Sequence, residues 1–294
     1  MSRPKGALTV GDAIEAASRR LRAARLAYGH GTFNAREESA WLVLHACRIP
    51  HDNLEGKLGR SVSKVEARRL EKLVERRILE RIPAAYLTRQ AWLGEHRFYV
   101  DRRVIVPRSF IAELLPGTIE VFLRGPVRRA LDLCTGSGCL AILLALAFRN
   151  ATVDAVDLSA GALAVARKNI AAYRLGRRVK PLRSDLFASL AERRYDLIVS
   201  NPPYVDQANM RKLPAEYLAE PRMALAGGED GLQLVRRILA QARMHLNPRG
   251  VLVCEVGHNR KALERAFPKL PFTWLDTSAG DGLVFLLERE HLPK

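Results

Sequence analysis

The N-terminal part of the chain is patterned for helices. Ile14, Ala17, Leu21 and Ala24 recur three or four residues apart, so they share one helical face. Asn34 with Glu37 opens "NAREESAWLVLHAC" in the manner of a capping box, and Ser63 with Glu66 opens "SKVEARRLEKLVERRILERIP" the same way. Leu70, Leu73, Val74, Ile78 and Leu79 form the apolar stripe of that last segment, and Pro83 ends it. Arg68, Arg69, Lys72, Arg76 and Arg77 cover its other faces. The pattern predicts a small helical bundle over residues 1–85.

The period then shortens. Phe98–Val100 and Val104–Val106 are strand-like runs around a polar "DRR" turn, which predicts a β-hairpin linking two regions over residues 86–108. From residue 109 to 294, strand-like and helix-like segments alternate. "RALDLC", "TVDAVDLS", "VKPLRSD", "YDLIVSN" and "GVLVCEVG" read as strands, and "CLAILLALAF", "AGALAVARKNIAAY" and "GLQLVRRILAQARMHL" as helices. "FTWLD" and "LVFLLER" close the chain as two further strands. Such alternation predicts an α/β domain whose mainly parallel sheet is covered on both faces.

Composition narrows the partners. Lys plus Arg number 48 against 31 Asp plus Glu, a formal charge of +17. An excess of that size favours an anionic partner, such as nucleic acid or a nucleoprotein, unless arginine simply dominates the surface. Cys47, Cys134, Cys139 and Cys254 form no C-x-x-C pair and have no clustered histidines beside them, so no metal site or disulfide framework is expected. No apolar run is long enough for a membrane span, and the N-terminus has no signal-peptide core. A cytoplasmic protein without membrane contact is expected.

Candidate chemistry lies at strand ends. "LDLCTGSGCL" places Asp132, Gly136 and Gly138 between the first strand and first helix of the α/β region. Small residues there let backbone approach a ligand, and the helix N-terminus offers free N–H groups. The form resembles motif I of S-adenosylmethionine (SAM) methyltransferases, with Cys134 where that motif usually has its first glycine. Asp157 ends the second strand, where a carboxylate can accept from ribose hydroxyls. Asp185 follows the third, within reach of an adenine amino group.

"SNPPYVD" follows the fourth strand. Two successive prolines cannot continue a central strand, so an amide and an aromatic ring stand at its tip. A planar nitrogen is a poor nucleophile because its lone pair is delocalised. The Asn201 side-chain oxygen and the Pro202 carbonyl, aimed at its two N–H bonds, would raise its electron density and hold it in line with a methyl sulfonium. The Tyr204 ring can stack on the planar group and lie near the cationic methyl.

These motifs resemble the protein N5-glutamine methyltransferases over nearly the whole chain, through the helical N-domain, the hairpin, "DLCTGSG", "SNPPYVD", "EPRMALAGGEDGL" and a late "GDG". "HRFYVDRRVIVPRS", "LDLCTGSGCLA" and "VDAVDLS" resemble the branch acting on large-subunit ribosomal protein three. The resemblance implies a Rossmann-like, seven-stranded class I SAM-dependent methyltransferase fold, with a small N-terminal helical domain for substrate recognition joined by the hairpin. It implies SAM as methyl donor, S-adenosylhomocysteine as product, and no metal. Carried over by motif, cofactor contacts fall on Cys134, Thr135, Gly136, Ser137, Gly138, Asp157, Asp185 and Asn201. Substrate contacts fall on Asn201, Pro202, Pro203, Tyr204 and Arg108, with Asn201, Pro202 and Tyr204 catalytic. The implied partner is that ribosomal protein, free or in an assembly intermediate, with ribosomal RNA contact through the basic surface.

Three other readings stay open on the residues alone. The sister branch methylates a Gly-Gly-Gln in peptide release factors, but typically reads Pro-Arg-Pro where this chain has Pro107-Arg108-Ser109. An adenine-N6 methyltransferase would use the same tetrapeptide on a flipped base, yet no separate target-recognition region is present. A ribosome assembly factor with a silent site would not need Asn201 and Tyr204 intact.

Overall fold

In a computed structural model, residues 8–115 and 117–293 are described. The N-terminal residues over which no signal sequence is expected lie partly outside them. The chain divides into two compact units. One comprises residues up to Ala91 together with Pro214–Ala219, and the other Trp92–Leu213 with Glu220 onward.

The first unit is helical: α1 (Val10–Ala23), α2 (Ala35–Cys47), α3 (Lys64–Leu79) and the short α4 (Ala84–Thr88). Its ends are set by the expected caps. Ser63 Oγ accepts the Glu66 N–H while Glu66 accepts the Ser63 N–H, closing the capping box of α3. Asn34 Oδ1 caps α2 by accepting from Arg36 and Glu37, and Glu37 reaches back to the Phe33 N–H. Ile14, Ala17 and Leu21 of α1 are buried, with Trp41, Leu42 and Leu44 of α2 and Leu70 and Val74 of α3.

One side chain overturns the expected stripe of α3. Arg77, assigned by periodicity to an outer face, is fully buried, whereas Leu79 is 79% exposed. Arg77 Nε donates to Glu38 Oε1 at 2.6 Å, Nη1 to Glu216 Oε1 at 3.3 Å, and Nη2 to the Ala27 carbonyl at 2.9 Å. Two buried carboxylates explain the burial of the cation, since a charge leaves water only when it is paired.

A two-stranded ribbon of β1 (Ala91–Leu93) and β2 (His96–Phe98) turns at Gly94 and Glu95. The hairpin therefore lies earlier than expected. Around Asp101-Arg102-Arg103 there is a turn but no strand, because Val104 and Val106 are buried individually rather than paired in a ladder.

The second unit continues with α5 (Ile111–Leu114), β3 (Arg129–Leu133), α6 (Cys139–Ala147), β4 (Thr152–Asp157), α7 (Ala160–Ala172), β5 (Val179–Arg183) and β6 (Tyr195–Ser200). It ends with α8 (Gln207–Met210), α9 (Gln233–Ala242), β7 (Leu246–Glu255), α10 (Arg260–Ala266), β8 (Thr273–Thr277) and β9 (Gly280–Glu288). Seven strands form one sheet in the order β5-β4-β3-β6-β7-β9-β8. β3 to β7 run parallel, and β9 is antiparallel to both β7 and β8. Successive strand residues feed opposite cores. Leu197 and Val199 pack with Ile142 and Ile170 on one face, and Ile198 packs with Val235 and Leu239 on the other. The strand order reverses between β3 and β6, the place where open α/β sheets bind ligands.

Candidate active site

Parallel register puts the candidate residues at one level. Leu133 pairs with Ser200, and Ser200 with Cys254, so the next residues, Cys134, Asn201 and Glu255, end three adjacent strands together. Ser200 Oγ donates to the Leu133 carbonyl at 3.0 Å and stitches two of these ends.

The glycine loop is held from within. Fully buried Asp132 accepts from Thr135 Oγ1 and from the Ala141 N–H in the first turn of α6, so one carboxylate ties the loop to the helix it enters. Burial pushes that carboxyl up to about 7 against these two hydrogen bonds. Cys134 adopts φ 59, the left-handed conformation that glycine would take with less strain. Gly138 has φ +78, and a Cβ there would lie 3.0 Å from Ala166 Cβ, so backbone conformation and close helix packing both favour a glycine.

A cavity of about 330 Å³ opens beside this loop, a size suited to a small-molecule cofactor. Cys134, Gly136, Asp157, Asp185, Asn201 and Pro203 line it, with Val104, Ile105, Leu158 and Met223 among its apolar walls. Of the expected cofactor residues, Thr135, Ser137 and Gly138 are not among its walls. Thr135 donates to Asp132, and the Ser137 carbonyl accepts from Asn169 Nδ2 at 2.8 Å. Asp157 accepts from the Gly136 N–H at 2.9 Å and the Ser159 N–H at 2.8 Å. Burial raises its pKa against those backbone donors, and each oxygen keeps acceptor capacity. Asp185 pairs with Arg237 at 2.9 Å, both about half exposed. A Cβ on Gly136 would meet no atom within 4 Å, so its backbone faces open space. Bare backbone beside two acids and an amide suits a nucleoside-bearing cofactor. Among the described residues no cluster of His, Cys, Asp and Glu could hold a metal ion.

The tetrapeptide is fixed beside the cavity. Asn201 and Pro203 line it, and Pro202 is buried. The Tyr204 hydroxyl donates to Glu255 Oε1 at 3.1 Å, and Asn259 Nδ2 donates to the Tyr204 carbonyl at 2.7 Å. Val205 exchanges backbone hydrogen bonds with Leu225 and Gly227. Arg108 is not a wall of this cavity. Its guanidinium forms a bidentate pair with Glu220, at 2.6 and 2.7 Å, and donates to the Val106 carbonyl. Glu220 and Glu255 were not legible as site residues. Their only sequence signal is an acid beside a proline in "EPRM" and an acid ending an apolar strand in "VLVCEVG".

A model of the methyltransferase small domain matches residues 112–270, and a model of the PrmC N-terminal domain matches residues 12–88. The ribosomal protein uL3 glutamine methyltransferase of Burkholderia pseudomallei is 52% identical, covering 97% of this chain and 96% of its own. The protein of that name from Bordetella pertussis is 54% identical over the same shares. Among solved structures, the catalytic domain of hMettl16 in complex with an RNA hairpin of the MAT2A 3′UTR superposes with a TM-score of 0.51 at 17% identity, covering 78% of this chain and 84% of that one. That likeness concerns the fold alone. A seven-stranded sheet with a glycine loop and a ligand cavity at its switch point is the architecture of a class I methyltransferase, and the protein is an enzyme of that class. Within it, the chain belongs to the family of ribosomal protein uL3 glutamine methyltransferases.

Proposed function

We propose that the enzyme methylates the side-chain nitrogen of a glutamine in ribosomal protein uL3, with SAM as donor. The observation that carries the substrate is the full-length identity of 52–54% with methyltransferases named for that protein. SAM, when bound, supplies an electrophilic methyl on a sulfonium. Asp157 and the bare backbone at Gly136 would hold its nucleoside part, Cys134 and Asp185 contribute cavity walls, and Asn201 would face both donor and acceptor.

The chain's own work is to make an amide nitrogen reactive. The Asn201 Oδ1 and the Pro202 carbonyl accept its two N–H bonds, and the proline-stiffened backbone keeps them aimed without reorganisation. Tyr204 presents its ring to the planar amide. A nitrogen that has accepted the methyl would become acidic, and its surplus proton would pass to water. Thr135, Ser137 and Gly138 serve by shaping the loop. The helical region over residues 1–85 recognises the substrate, as free protein or in an assembly intermediate. The charge of +17 supports an encounter with RNA-rich particles in the cytoplasm.

Purified enzyme with methyl-labelled SAM, offered uL3 and a release factor separately, tests the reading. Label on uL3, abolished by Asn201→Ala, is expected. Label on the release factor alone would assign the sister activity.

A further inference from the structure

The turn after β7 encloses Tyr204 from three sides. Glu255 Oε1 accepts from its hydroxyl, and Asn259 Nδ2 donates to its carbonyl. Between them Gly257 has φ +52, and a Cβ there would stand 2.6 Å from Cε2 of the Tyr204 ring. Any larger residue would displace the ring. The second Glu255 oxygen accepts from Ser109 Oγ at 2.6 Å and from the Phe110 N–H at 3.0 Å. These bonds anchor the segment whose neighbours Val104 and Ile105 line the cavity.

A ring that needed only burial would be served by apolar neighbours. Here a carboxylate is taken out of water, at 1% exposure, with dipoles for direct partners. That arrangement costs desolvation energy that simple packing would not require. Three fixed points, at hydroxyl, ring face and carbonyl, determine both the position and the plane of an aromatic ring. A stacking platform needs both.

We propose that Glu255, Gly257 and Asn259 form a socket that positions the Tyr204 ring for methyl transfer, with Glu255 a positioning residue that touches no substrate. The proposal rests on the methyl-transfer reading above. The groups facing Glu255 are Ser109 and Phe110, the more distant charge of Arg108, Tyr204, and the Cys254 thiol beside it on β7. Burial raises the Glu255 pKa to about 6 against the hydrogen bonds from Ser109, Tyr204 and Phe110 and the Arg108 charge. Below that pH the Tyr204 hydroxyl loses its charged acceptor, and the ring loses its strongest tether.

The test is the pH profile of kcat on uL3 protein with the full-length enzyme, alongside SAM affinity by calorimetry. The wild type should show an acid limb near pH 6. Glu255→Gln should lack that limb. Tyr204→Phe should lack it too, because without the hydroxyl the ring has no tether to Glu255 for protonation to release. Gly257→Ala should lower kcat by about tenfold or more, as a displacement near 1 Å does, while SAM affinity stays within about threefold. If Gly257→Ala does not fold, the Glu255 and Tyr204 profiles decide alone. A Glu255→Gln enzyme with the wild-type limb and kcat would overturn the socket. The wild type separates the two readings: no label on uL3 at any pH means that the methyl-transfer reading fails, whereas transfer that Asn201→Ala lowers while the socket variants behave as wild type means that only the socket fails.

Discussion

The two units bury acids in opposite ways. In the helical unit, Glu38 and Glu216 meet the fully buried Arg77, and Arg81 adds a second cation at 3.2 Å from Glu216. Burial pushes Glu38 up against its ion pair. For Glu216, the backbone donors and the two arginines outweigh burial and hold its pKa below the usual carboxylate value. At the sheet edge, Asp132, Asp157 and Glu255 have N–H and O–H dipoles as their direct hydrogen-bond partners, and all three titrate high. Glu220, paired with Arg108, and Asp154, paired with Arg193, depart from this pattern in the sheet unit. Ion pairing fixes a fold but uses up the charge. Dipoles hold a carboxylate in place and leave its charge sensitive to what enters next, which is why perturbed acids collect at functional sites.

The largest expected effects separate fold from chemistry. Arg77→Ala leaves buried Glu38 without its cation and Glu216 with Arg81 alone, and should lower unfolding free energy by about 3–5 kcal/mol, read from urea midpoints. SAM affinity of the folded protein should not change. Asn201→Ala should do the reverse: kcat falls by about 10²–10³ with little change in stability. Asn201→Asp keeps an acceptor of the same shape and should retain part of the activity. An Arg77→Ala protein as stable as wild type would remove the contrast, because the helical cluster would then carry no structural load.

What the sequence revealed follows the same division. The glycine loop and the NPPY segment were legible because backbone chemistry at a strand end demands particular residue types in a fixed order. Arg77 was not, since helical periodicity counts apolar residues and reads a buried arginine as solvent-facing. Its partner Glu216 stands 139 residues away, on a segment no pattern assigns to the helical unit. Val104 and Val106 suggested a strand because β-branched residues serve buried coil as well as ladders. Glu255 looked like an ordinary strand end. Only the register of β6 against β7 sets it level with Asn201.

The raised acids predict a pH dependence of stability. The Asp132 pKa rises from an ordinary carboxylate value to about 7 in the fold. The folded state therefore holds a proton that the unfolded chain releases. The stability linked to that proton is complete below about pH 4 and is lost as pH climbs through 7. Asp132→Asn should flatten this slope, by a few kcal/mol at most, each pKa unit being worth about 1.4 kcal/mol. Melting temperatures at pH 5 and pH 8 check it. Parallel slopes in the two proteins would show that Asp132 is ionised throughout, and the dipole-held acids would then resemble the ion-paired ones.

The smallest effect concerns a pair that joins both styles. Asp185 lines the cavity yet pairs with Arg237, and both side chains are about half exposed, so the pair should add only about 0–1 kcal/mol to stability. Its consequence lies in binding. If Asp185 accepts from the adenine amino group, Arg237 competes for the same oxygens. Arg237→Ala should then leave melting nearly unchanged and keep or tighten SAM affinity within about threefold, while Asp185→Ala weakens it by about 1 kcal/mol, the usual worth of one hydrogen bond. Titration calorimetry on the two variants reads both signs. A tenfold loss of affinity in Arg237→Ala would make the arginine itself a cofactor contact, and the acid its anchor.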